Sequence, residues 1–148
     1  MEVMKKTAKK LTRSITAGLL LSSLLLPSAF AADVVSGGLT WTSNRGAVAS
    51  PGKSNWSVAK ATCNALTAQG LPAGSWRLPT KEELSALSAS QIGTRFFYTL
   101  RDAGWGFDWT WTSTAANSNA DFHYIVNLSN NKIDAGHNSE YYYVSCVR

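Results

Sequence analysis

The chain has 148 residues, 45% of them hydrophobic and 16% charged, with a formal net charge of +5 at pH 7. That length fits one domain, and no internal repeat, coiled-coil heptad or low-complexity tail divides it. The first 31 residues carry five of the 14 basic residues and one of the nine acidic ones, so the rest holds nine and eight, net +1, and compositional support for nucleic-acid binding is lost.

Residues 1–31 read as an export signal. Lys5, Lys6, Lys9, Lys10 and Arg13 form a basic start, and residues 15–26 form an apolar core too short for a membrane span. Pro27 and then Ala29-Phe30-Ala31 predict cleavage after Ala31. The expected mature protein, 32–148, is a single soluble domain with no transmembrane segment. No Cys follows the apolar run, so no lipid anchor is expected.

Residues 38–42 predict a first strand with Leu39 and Trp41 on one face. A turn-rich loop follows over 43–53. Ser54 is the expected cap of a helix from about 55 to 69, where Trp56, Ala59, Cys63 and Leu66 make an apolar stripe. Gly70 ends it and Pro72 follows.

The segment Trp76-Arg77-Leu78-Pro79-Thr80 reads as a rigid approach to a second helix, roughly 81–89. Thr80 as N-cap with Glu83 three residues later predicts a capping box, and Leu84 and Leu87 are its buried residues. Phe96, Phe97, Tyr98 and Leu100 suit either a short helix or an irregular packed segment. Gly104-Trp105-Gly106-Phe107 reads as loop.

Trp109-Thr110-Trp111-Thr112 alternates and predicts a strand with both indoles on one face. Residues 113–121 form a polar loop. His123–Leu128 predicts a strand, Ser129–Asn131 a turn, Lys132–Ala135 a return strand and Gly136–Glu140 another turn. Tyr141–Arg148 predicts the closing strand, with Tyr142, Val144 and Cys146 inward and Tyr141, Tyr143, Ser145 and Val147 on the other face.

Two cysteines in an exported chain suggest a disulfide, Cys63–Cys146, with two buried free thiols as the alternative. Closing a loop of this size is worth at most about 4–5 kcal/mol in the chain-entropy model. The fold class is α+β: two helices packed on a small antiparallel sheet, with long loops and one disulfide.

The W-R-L-P-T segment with Glu83-Leu84, the Trp109–Ser113 strand and the Val144-Ser145-Cys146-Val147-Arg148 end resemble the C-type-lectin-like domains of bacterial intimin- and invasin-type adhesins. The resemblance covers roughly 38–148 and implies a C-type-lectin-like fold in which a disulfide joins the first helix to the last strand. It implies a secreted or surface-associated, adhesin-like binding domain, with the periplasm as the alternative location. The adhesins carry this domain at the tip of a long chain, whereas here it follows its own leader. A substrate or companion of an intimin-type outer-membrane transporter fits that arrangement. The Glu-Pro-Asn, Gln-Pro-Asp and Trp-Asn-Asp calcium motifs of sugar-binding animal lectins are absent. Asn117, Asn119, Asp121 and Asp134 are oxygen donors, but no spacing among them demands calcium, and no cofactor is expected.

No nucleophile elbow, phosphate loop or zinc-protease motif occurs, and His123 and His137 have no companion at ligand spacing. The formylglycine-generating enzymes have a related fold and use reactive cysteines; pairing of Cys63 with Cys146 argues against that chemistry. A binding role is expected instead. Trp41, Trp56, Trp76, Trp109 and Trp111 are assigned to the core. Trp105 and Phe107 are either loop anchors for a partner or buried by an inward fold of their loop. The candidate ligand-binding set is Trp105, Phe107, Asp108, Asn117, Asn119 and Asp121, gathered from loops 104–108, 113–121 and 134–140. The expected ligand is a protein on a host cell or bacterial surface. The alternative is a glycan bound without calcium.

Overall fold

The computed structural model describes residues 33–44 and 52–148, so the predicted leader lies outside the described residues. Strands β1 (Val34–Ser36) and β2 (Leu39–Trp41) form a hairpin. Its two-residue turn puts Gly37 and Gly38 at φ 61° and 77°, a backbone only glycine adopts without strain. β1 was not legible in the sequence, and neither was β3 (Lys53–Ser54), which lies at the end of the turn-rich loop.

Helix α1 spans Trp56–Ala65. Its cap is Asn55, not the expected Ser54: the Asn55 Oδ1 accepts from the Val58 N–H, while Ser54 pairs with Tyr142 as part of β3. The helix stops earlier than 69 because Leu66 turns extended, and a 3-10 turn at Ala68–Gly70 follows.

Helix α2 spans Lys81–Gln91 with both halves of its capping box formed. Arg77 clasps Glu83 with two nitrogens, at 2.8 and 2.7 Å. The Lys81 N–H donates to Thr114 Oγ1, which ties the helix start to the sheet. A third helix, α3 (Phe96–Asp102), resolves the ambiguous segment and buries Leu100. The α+β layout therefore has three helices rather than two.

The main sheet contains β4 (Trp109–Ala115), β5 (Phe122–Asn127), β6 (Ile133–His137) and β7 (Tyr142–Tyr143) besides β3. Its order is β3-β7-β4-β5-β6. The pairings are antiparallel except β4 with β7, which meet in parallel at Thr110 and Tyr143. Alternating residues of β5 point to opposite faces. Ile125 joins Ala59, Cys63, Trp76, Trp111 and Val144 under α1. Val126 joins Trp41, Leu84, Leu87, Leu100 and Val147 under α2, α3 and the hairpin. The sheet is thus covered on both faces.

The closing segment differs from the expected strand. Only Tyr142–Tyr143 pair within the main sheet, and Val144, Ser145, Cys146 and Val147 are all buried. Ser145 and Val147 do not face outward. The reason is hydrogen bonding on both sides: on one, the Thr42 N–H donates to the Cys146 carbonyl and Thr40 exchanges two bonds with Arg148; on the other, Val147 exchanges two bonds with Arg77. Inside this arrangement Cys63 and Cys146 form the disulfide, with Cα atoms 5.4 Å apart.

Candidate functional site

The Gly104–Phe107 loop folds inward. Buried Asn44 donates to the Gly106 carbonyl and accepts from the Gly106 N–H, both at 2.7 Å, and Ser43 donates to the Gly104 carbonyl. Trp105 is 3% exposed and packs on Trp41 with ring centroids 6.5 Å apart. Of the two readings of this loop, burial holds for Trp105. Phe107 stacks on Phe97 at 4.6 Å. Asp108 pairs with Lys53 at 3.0 Å. Burial pushes the Asp108 carboxyl up, but the Trp109 N–H and Lys53 outweigh it and hold the group below its ordinary value.

Asn117, Asn119 and Asp121 lie at the other end of β4. Seven residues of strand separate the two groups by roughly 20 Å. The six candidate residues therefore do not form one surface. The expected 113–121 and 134–140 loops are shorter than their bounds, because β4 runs to Ala115 and β6 to His137; the β4–β5 and β6–β7 connections do meet, and Asn138 joins them. Its N–H donates to the Asp121 carbonyl and its Nδ2 to the Ala120 carbonyl. Asn117 and Asp134 are engaged locally, Asn117 Oδ1 by the Phe122 N–H and Asp134 Oδ1 by the Ala135 N–H. Among the described residues no group of three or more His, Cys, Asp or Glu is placed to hold a metal ion.

A cavity of about 380 Å³ opens beside this junction. Trp56, Lys60 and Asn64 line it from α1, one turn apart on a single helix face. Trp76, Arg77 and Leu78 line it from the approach to α2, Ser113 from β4 and His123 from β5. The W-R-L-P-T motif thus has two consequences: it caps α2 and forms one wall of the cavity.

His123 is buried and stacks on Trp56, with centroids 3.6 Å apart and planes 16° from parallel. Its Nδ1 lies 2.7 Å from Asn138 Oδ1. The Ala120 carbonyl engages the Asn138 amide nitrogen, which turns Oδ1 toward the ring. Nδ1 must then carry the proton, and the neutral ring keeps an acceptor at Nε2. Burial pushes His123 below the ordinary imidazole value; the Asn138 bond opposes this, and the nearby Lys60 charge adds to it. The Asn138 carbonyl also accepts from the Trp56 N–H, so one residue positions both stacked rings.

The charges around the cavity are unequal. Glu83 occupies the Arg77 guanidinium and raises its pKa, while Arg77 is the main cause holding the Glu83 carboxyl low. Lys60 has no carboxylate partner among the described residues and sits over Trp56 at 5.2 Å. Trp76 is 1% exposed, carries the Arg148 guanidinium over its ring at 5.3 Å, and has no partner for its indole N–H. Leaving such a donor unpaired costs about 1–3 kcal/mol.

Lys60 and Asn64 were not singled out from the sequence, although their spacing from Trp56 was readable. Asn138 carried no signal at all, because its role comes from contacts 15 to 82 residues away in the chain.

A family model described as the Lcl C-terminal domain matches residues 33–148. The match covers well over half of the chain, and the chain belongs to that family. No curated protein matches it.

Proposed function

We propose that this Lcl C-terminal domain is an exported, surface-associated bacterial binding module, adhesin-like in role and C-type-lectin-like in fold, that recognises a protein ligand. The single observation carrying the reading is the cavity between α1 and β5, lined by Lys60, which has no carboxylate partner among the described residues, and by His123, which Asn138 and Trp56 hold in place. Such a set of fixed donors and acceptors in a concave site is suited to holding a ligand. Both cysteines are joined in one disulfide, which leaves no thiol for chemistry of the formylglycine-generating type. Among the described residues no helix is long and apolar enough to cross a membrane. The surface partner in this reading is an intimin-type outer-membrane transporter.

The test is fractionation of the native culture, followed by capture from host-cell and outer-membrane extracts with the purified protein. Recovery at the surface or in the medium, with capture lost after protease treatment of the extract, supports the reading. Capture lost only after glycosidase treatment would assign a glycan instead. Confinement to the periplasm without a surface partner would overturn the adhesin-like role.

A further inference from the structure

We propose that Asp134 and Glu140 guard the open edge of the main sheet, keeping its outer strand β6 from pairing with β6 of a second copy of this chain. The inference is independent of the cavity and goes beyond the binding-module reading.

β6 ends the sheet on one side with five residues, whereas β3 on the other side has two. Its register with β5 runs unbroken from the Phe122–His137 pair to the Val126–Ile133 pair. Gly136 lets β6 lie close against the sheet: a Cβ at that position would come within 2.6 Å of the Tyr142 ring and 3.2 Å of Trp111. The Asn127 N–H donates to the Lys132 carbonyl and the Asn138 N–H to the Asp121 carbonyl, so Lys132 and Asn138 bond toward β5. By alternation Asp134 and Gly136 do the same, and the backbone groups of Ile133, Ala135 and His137 point outward. An outward row of this kind is a template for another strand.

Carboxylates of the chain itself already take two of those three donors. The Ala135 N–H donates to Asp134 Oδ1 and the His137 N–H to Glu140 Oε2, both at 2.8 Å. The Glu140 N–H in turn donates to the His137 carbonyl at 2.9 Å. A charged acceptor holds an N–H roughly twice as strongly as a neutral one, so an incoming backbone carbonyl is at a disadvantage. A second copy is the strand this edge suits, because an antiparallel pair centred on Ala135 is self-complementary and sets Ile133 of each copy beside His137 of the other. Ile133 is 45% exposed, and that pairing would cover it.

Sedimentation velocity over a range of protein concentrations tests this, with backbone amide exchange as the local readout. Asp134→Ala combined with Glu140→Ala should form a larger species as concentration rises, beyond any mass the wild type shows. At low concentration the Ala135 and His137 amides of this alanine pair should exchange at least about threefold faster than in the wild type, and at high concentration they should become protected. Asp134→Asn combined with Glu140→Gln keeps an oxygen acceptor at each position and should behave like the wild type. Adding Ala135→Pro to the alanine pair removes an outward N–H without touching the β5 ladder, and should return the wild-type mass. Asp134 is exposed, and Asp134→Ala alone should show the same trend; it serves as the check on folding because Glu140 also accepts from the Tyr142 hydroxyl. An alanine pair with the wild-type mass at every concentration overturns the proposal. So does association of the Asn–Gln pair as strong as that of the alanine pair, or association that survives Ala135→Pro.

Discussion

His123 and Asn138 are joined side chain to side chain at 2.7 Å, and through that contact the β6–β7 turn holds the buried imidazole flat against Trp56. Asn138 uses all four of its polar groups: the backbone carbonyl for Trp56, the backbone N–H for Asp121, Nδ2 for Ala120 and Oδ1 for His123. One turn residue therefore connects α1, β5 and the β4–β5 loop beside the candidate cavity.

Asn138→Ala should destabilise the domain by about 1–3 kcal/mol, because it leaves the buried Nδ1–H of His123 without an acceptor. Urea unfolding followed by tryptophan fluorescence measures this. A midpoint unchanged from wild type would show that water replaces the amide.

The same contact predicts a pH dependence. His123 titrates near 6.5 in the unfolded chain and lower in the folded one, chiefly through burial. The unfolded state therefore binds more protons in this window, and stability falls as pH drops from about 6.5 toward the folded value. His123→Gln should flatten that part of the stability curve. An unchanged slope would assign the loss to other groups.

Trp105→Ala should cost about 3–5 kcal/mol, since the indole fills the core against Trp41. A lowered melting temperature is expected whether or not a ligand is present. Full stability with lost binding would return Trp105 to the binding surface.

Removing the disulfide should lower stability by no more than about 4–5 kcal/mol, the loop-entropy limit for a bridge between residues 83 apart. Cys63→Ala with Cys146→Ala, compared with wild type in denaturant, measures the difference. Equal midpoints would show that native packing alone holds α1 to the closing segment.

Tyr142 should ionise late. Burial first, then its bond to Glu140, pushes the phenol up to about 12. Absorbance at alkaline pH should show a late phase that Tyr142→Phe removes. Because the folded value is raised above the ordinary 10.0, the associated stability is complete below about pH 10 and is lost as pH rises toward 12.

Local chemistry made the α+β class, the second helix and the cysteine pair legible in the chain. Thr80 and Glu83 lie three residues apart, so their reciprocal cap depends on nothing distant. The Trp109–Thr112 alternation and the two glycines around Trp105 are likewise readable within a few residues. Tertiary structure decided the rest. Whether Trp105 faces solvent depends on Asn44, 62 residues away in sequence from the Gly106 backbone it grips. Val147 and Ser145 are buried because β2 and Arg77 close over both edges of the terminal segment, which alternation within that segment does not encode. The cavity exists because α1, the W-R-L-P-T segment and β5 converge, and Asn138 fixes their junction by long-range hydrogen bonds. Short-range propensity is written in neighbouring residues; burial and site geometry depend on which distant segments pack against them.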